Sequence, residues 1–199
     1  SKRIKARRMP REQRPYLLIG SPQCREFCTW QRRSGKKYPD DGRRQAAREA
    51  AEVHMKFVAT LCRDQLDAGR YFLHEHPGWA SSWSFSCIDA IAQQPGVQTV
   101  RGDQCQYGAE TQSSDSISTK GDPILKPTGL MTNPAEIASA LSRRCQGRGG
   151  HCSRPKGGLH RQCSGKHARD AQTYPPGLCR AVLRGVRDQL RADNLLKEG

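Results

Sequence analysis

YLLIG (residues 16–20) is a short apolar run ended by a glycine, and YFLHEHPG (71–78) opens with a second such run, Tyr71-Phe72-Leu73, closed by Pro77-Gly78. Both runs are too short for helices and have the composition of buried strands. Between them, Ala46, Ala47, Ala50, Val53, Phe57, Val58, Leu61 and Leu66 recur at helical spacing. Asp40-Asp41 are placed to cap that helix, which is expected over about 43–67, and Gly69 is a fitting stop. Strand, helix and strand in this order predict a right-handed crossover with two adjacent parallel strands. Both strands then end on one edge of the sheet, where open α/β sheets bind ligands. That edge would carry Gly20-Ser21-Pro22-Gln23-Cys24 and His74-Glu75-His76-Pro77.

The pattern continues outward from this unit. A helix is expected at 84–94, a strand at Val97–Arg101 and another at Gly129–Thr132. Asn133-Pro134-Ala135-Glu136 has the chemistry of a helix start, with Asn as cap, and that helix should end near Leu141. A last helix, 176–192, would place Leu178, Val182, Leu183, Val186 and Leu190 on one face. The fold class is α/β, with a partial parallel sheet, flanking helices and basic, partly disordered flanks. The expected layout is a flexible basic segment (1–15), an α/β core (16–142), a basic Cys/His/Gly-rich segment (143–172) and a C-terminal amphipathic helix (173–199).

Composition bounds the function. The 199 residues carry 34 Lys and Arg against 19 Asp and Glu, a formal charge of +15. Residues 1–50 and 143–191 are each net +10, whereas 51–142 are net −4. Basic flanks around a slightly acidic centre suit a polyanion, and nucleic acid is the commonest. Leu, Ile, Val and Phe make up only 31 of the 199 residues, which fits partial disorder rather than a large uniform core. No apolar run approaches the roughly 20 residues of a membrane helix, and none near the start resembles a secretory signal. The nine cysteines are therefore expected to be reduced thiols of an intracellular protein.

Two groups of residues could carry chemistry. Cys24 follows the first strand and Glu75 the second. A thiol near loop N–H groups can lose its proton and attack an electrophilic carbon, and a neighbouring carboxyl can hold a proton or grip a ring nitrogen. The bland alternative is a small buried thiol and a carboxylate in solvent. The second group is Cys145, Cys152, His160 and Cys163, spaced C-x6-C-x7-H-x2-C, with His151 and His167 as alternative ligands. Three thiolates and an imidazole make a closed zinc site, and metal would order a segment too poor in apolar residues to fold by burial. Trp79, Trp83 and Phe85 are expected to pack in the core, with a base-stacking platform as the alternative.

Several tracts resemble a known family. LLIGSPQCREF (17–27) resembles the strand and Pro-Cys loop that carries the nucleophile of cytosine-5 DNA methyltransferases. YFLHEHPGW (71–79) is similar to their Glu-Asn-Val segment, and CQYGAE (105–110) to the tract before their target-recognition region. Over nearly all of residues 15–192 the chain more closely resembles methyltransferase-like domains in Pol polyproteins of protist, dinoflagellate-type retrotransposons. The tracts concerned are GSPQC, GRYFLHEHP, DQCQYGA, KPTGLMTN, CQGRGGHCSRPKGG and YPPGLCRAVLRG.

The resemblance implies a Rossmann-like, methyltransferase-type sheet and S-adenosylmethionine as methyl donor. It implies that Cys24 attacks carbon six of a flipped cytosine and that Glu75 binds the ring nitrogen and exocyclic amine. Ser21, Pro22, His74 and His76 would line the base. Gln23 stands where the enzymes have Pro, and His76 where they have Asn. The family's Gly-rich, donor-binding motifs precede the motif with which this chain opens. The expectation is a methyltransferase-like core lacking its donor-binding half, inactive alone, with the remainder of a polyprotein as partner. The alternative is a non-catalytic nucleic-acid-binding module with a zinc-stabilised basic segment.

Overall fold

The computed structural model describes residues 2–28, 42–112, 114, 116 and 118–197. Asp40 and Asp41, expected to cap the long helix, and much of the loop before them lie outside the described residues. The fold is mixed α/β. Its main sheet has four strands in the order β1-β2-β5-β3: β1 (Leu17–Gly20), β2 (Tyr71–Pro77), β5 (Pro127–Thr132) and β3 (Gln98–Asp103). A second, small sheet pairs β4 (Ile124–Leu125) with β6 (Arg161–Gln162) in parallel. The chain divides into two compact units, Ser1–Thr99 with Leu130–Pro134, and Val100–Gly129 with Ala135–Gly199; β3 and β5 each run from one unit into the other.

In the first unit the expected pair of adjacent parallel strands joined by a helix is present. β1 and β2 are parallel neighbours in the register Leu17↔Tyr71 to Gly20↔His74. The helix between them, α2, spans Arg43–Asp67 after α1, which spans Lys2–Gln13. Met55, Val58, Ala59, Cys62 and Gln65 form the buried face of α2. The apolar members of that face pack with Phe27, Phe72, Ile88, Ile91 and Met131. Gln65 fixes the strand pair: its amide donates to Pro15 O (3.2 Å) and Tyr71 O (2.7 Å), and its carbonyl accepts from Arg70 Nε (2.8 Å). α2 stops at Gly69, whose φ of +63° is open to glycine at no steric cost.

Two local expectations are corrected. The basic start, expected as a flexible segment, forms the helix α1, and its Arg7 and Arg11 both reach the Asp64 carboxylate of α2 at 3.0–3.3 Å. Asn133 does not act through a helix cap. Its side chain accepts from Phe72 N (3.0 Å) and donates to Arg70 O (3.1 Å), so it is tied to the β2 backbone. The helix after it, α4, spans Ala135–Leu141, and α3, earlier in the chain, spans Ser86–Ala92.

In the second unit α4 packs on α6 (Pro176–Ala192), with α5 (Gly165–Asp170) just before it in the chain. The buried positions of α6 are Leu178, Ala181, Gly185 and Gln189. This is not the expected face: Leu183 is 67% exposed, and Val182, Val186 and Leu190 are only half-buried. Small residues decide the contact. A Cβ on Gly185 would lie 2.7 Å from Ile137 Cα, so the two helices approach backbone to backbone and the larger side chains are left on the flank.

Candidate metal centre

Cys105, Cys145, Cys152 and His160 bring one donor atom each to within 4.8 Å of one another. Each arrives for a local reason. β3 ends at Asp103, and the 3-10 turn Gln104–Tyr107, closed by Gly108 with φ +91°, carries Cys105 fully buried. Asp103 also anchors the second ligand. Its Oδ2 accepts from Cys145 N (2.8 Å) and Arg144 Nε (2.9 Å), and its own N–H donates to Arg143 O (2.9 Å). The chain then doubles back. Cys152 N donates to Gly158 O and His160 N to Gly150 O, both at 2.8 Å, around the antiparallel bridge His151↔Leu159. Gly147 and Gly157 permit this: added Cβ atoms would stand 1.8 Å from His151 O and 2.7 Å from Cys152 O.

The donor geometry suits a tetrahedral ion. Cys145 Sγ lies 3.9 Å from Cys152 Sγ and 3.7 Å from His160 Nε2. A tetrahedron with Zn–S near 2.3 Å and Zn–N near 2.0 Å has edges of about 3.8 and 3.5 Å. His160 Nδ1 is 2.9 Å from Gly150 O, a contact in which Nδ1–H donates and Nε2 is left as the ligating nitrogen. The sulfurs are also served by donors. Ser153 N and Oγ lie 3.4 and 3.5 Å from Cys145 Sγ, and Gln106 Nε2 lies 3.4 Å from Cys152 Sγ. Desolvation pushes the Cys145 thiol up, but Ser153 N–H, its hydroxyl and Gly147 N–H outweigh it and bring the thiol down to about 6. Burial, with the nearby Cys152 and Cys145 sulfurs adding to it, pushes Cys105 up to about 12. A cation among the sulfurs relieves that repulsion, and this Cys3His set could hold zinc.

Three of the four ligands read from spacing are brought together, and the fourth is replaced. Cys163, just after β6, packs half-buried against Ala109, Ile124 and Ala171 instead. Cys105 takes its place from 40 positions before Cys145. No spacing rule within a contiguous tract reaches that far, and the available signal was only an unassigned cysteine ahead of a turn glycine. Neither His151, which is exposed, nor the buried His167 belongs to the cluster.

The candidate pair on the main sheet is arranged differently from its expected form. β2 continues to Pro77, so His74, Glu75 and His76 are strand residues and alternate between faces. His74 and His76, 1% and 0% exposed, share the face of Phe72 and stack at 5.9 Å, and Trp83 meets His74 edge-on at 5.4 Å. His76 Nδ1 lies 2.7 Å from Ser82 Oγ, and His74 Nδ1 has no hydrogen-bond partner among the described residues. Burial, helped by His76, holds His74 down to about 3; burial, against a weaker pull from the Gln23 backbone, holds His76 down to about 4. Both are neutral side chains of the core. Glu75, also buried, takes the opposite face.

Beyond β1, Ser21 is exposed and Pro22 buried. Half-buried Cys24 caps the 3-10 turn Arg25–Phe27, and its carbonyl accepts from Phe27 N (3.0 Å) and Cys28 Sγ (3.1 Å). Trp83 and Phe85 pack against the core, as expected, whereas Trp79 is 62% exposed. No described helix is long and apolar enough to cross a membrane. No protein-family model, no curated protein and no solved structure matches the chain.

Proposed function

We propose that the chain is a nucleic-acid-binding module whose basic second unit is ordered by one structural zinc ion. The observation that supports this most is the Cys105/Cys145/Cys152/His160 set: four protein ligands leave no open position, which is the pattern of a structural rather than a catalytic zinc. The tract it would order, residues 143–172, has Leu159 as its one Leu, Ile or Val residue and eight Lys and Arg. Metal would supply the ordering energy there, and the ordered tract would present its cations to phosphates. The test is metal analysis of protein purified without chelator, with a salt titration of nucleic-acid binding. One zinc per chain and an affinity falling steeply with salt are expected. A metal-free folded protein, or an affinity indifferent to salt, rejects the reading.

A second reading, a methyltransferase-like domain acting on cytosine, is favoured by one feature. The parallel β1/β2 pair, in register to Gly20↔His74, sends the Pro22-Gln23-Cys24 turn off the edge toward which β2 runs. In this reading Cys24 is the nucleophile, Glu75 grips the base and S-adenosylmethionine is the donor. Labelled methyl transfer to DNA or RNA that is abolished by Cys24→Ser would establish it. Transfer that survives Cys24→Ser would dismiss it.

A further inference from the structure

The buried face of α6 leaves its opposite face to solvent. At 100° per residue, Arg180, Arg187 and Arg191 fall opposite the line of Leu178, Ala181, Gly185 and Gln189, Arg184 lies beside them on the flank, and all four are exposed. They form one row about 16 Å long. Asp188 takes up Arg187 (2.7 Å) and Arg191 (3.8 Å), so that end of the row is partly neutralised. Arg180 and Arg184 make no ion pair among the described residues. The row has a neighbour. Arg143, exposed just after α4, stands over the Tyr107 ring at 5.8 Å, and its N–H donates to the Tyr107 hydroxyl (3.0 Å). The start of α6 rests on the same residue, since a Cβ on Gly177 would lie 2.1 Å from Tyr107 O. The positive charges of Arg143 and Arg184 both act on the Tyr107 hydroxyl, against the stronger effect of its burial.

We propose that Arg143, Arg180 and Arg184 form a docking face for the phosphate backbone of a nucleic-acid duplex. This rests on the nucleic-acid reading above and says where and how the polymer is held. All three cations are arginines, whose forked guanidinium matches phosphate oxygens in pairs. The exposed face of α6 carries no aromatic side chain, so the stacking that retains a single strand is missing. Tyr107 is buried and its hydroxyl is already engaged with Ala140 O and Arg143 N. Contact is therefore with charge and backbone shape, not with base identity.

The test is fluorescence anisotropy of the full 199-residue chain on a labelled mixed-sequence duplex, on one of its single strands, and on phosphatidylserine vesicles. Two variants are compared: Arg143→Ala/Arg180→Ala/Arg184→Ala, and Arg3→Ala/Lys5→Ala/Arg8→Ala, which removes the same charge from α1. The first should lower the slope of log K against log salt by about 2.7 and weaken duplex binding about a hundredfold at 0.1 M salt. The second should change it less than about threefold, and the single strand should bind more weakly than the duplex. All the replaced residues are on the surface, and an unchanged melting temperature confirms that each variant is folded. Wild-type protein that binds neither the duplex nor the single strand at low salt defeats the nucleic-acid reading itself. Duplex binding that both variants weaken equally, or that the first leaves intact, defeats this face alone. Tighter binding to the single strand or to vesicles assigns the face to a different partner and overturns the proposal.

Discussion

Cys105 and Cys163 are chemically identical side chains with opposite expected roles. Cys105 lies fully buried among the other three donors, and Cys163 packs against Ala109, Ile124 and Ala171. Cys105→Ser should abolish stoichiometric zinc, whereas Cys163→Ser should keep one zinc per chain, as read by metal analysis. Equal loss in the two variants would show that the ligand set is wrong. His74 and His76 give a second residue-level expectation. Their pKa values are depressed from 6.5 to about 3 and about 4, so the unfolded chain takes up protons that the folded chain refuses. Their contribution is complete above pH 6.5 and is lost as pH falls toward the folded values. By pH 5 the loss is about 2 kcal/mol for each histidine. Urea unfolding at pH 7 and pH 5 should show wild type losing more stability than His74→Phe. Equal losses would mean that His74 is not held neutral.

At the scale of elements, α6 shows what helical periodicity can and cannot say. The alternation of apolar and basic residues gave the helix and its bounds. The direction it faces was set by Ala181 and Gly185, which carry almost no hydrophobic signal but allow close approach to α4. Gly185→Ala is expected to destabilise by about 1–3 kcal/mol in thermal unfolding through overpacking. That is opposite in sign to the gain of about 1 kcal/mol for the same change in a free helix. Leu183→Ala should stay within about 0.5 kcal/mol, because the side chain is largely in water. The N-terminal helix makes a similar point. Its basic residues read as a mobile tail, and the distant Asp64 holds two of them, Arg7 and Arg11. The two guanidiniums hold the Asp64 carboxyl below the usual range. Asp64→Asn should therefore raise amide exchange throughout α1 while leaving β2 protected, and unchanged exchange would show that α1 is held by something else.

At the scale of the whole chain, the two units have different kinds of core. The first is closed around Phe27, Met55, Phe72, Ile88 and Met131, a contiguous cluster of buried apolar side chains. Around the Cys/His tract of the second, order rests on glycine-permitted turns, the Asp103 anchor and the donor cluster. Chelation should therefore raise hydrogen exchange across residues 145–160 and leave α2 and β2 unchanged. Uniform loss of protection in both units would argue against a locally acting metal.

The sequence by itself determined the strand–helix–strand order, the length of α2, the presence of strands near Val97–Arg101 and Gly129–Thr132, and the fact that Cys and His crowd a tract without a core. These are local properties: apolar period, turn glycines and ligand-rich composition can be read within a window of a few turns. Only the tertiary structure decided that Cys105 completes the donor set, that His74 and His76 are core side chains, that α1 is clamped to Asp64, and which face of α6 meets solvent. Each of these depends on a partner far away in the chain or on the room left by a missing side chain. A run of letters carries the residue types, whereas distance and burial exist only after the chain has closed on itself.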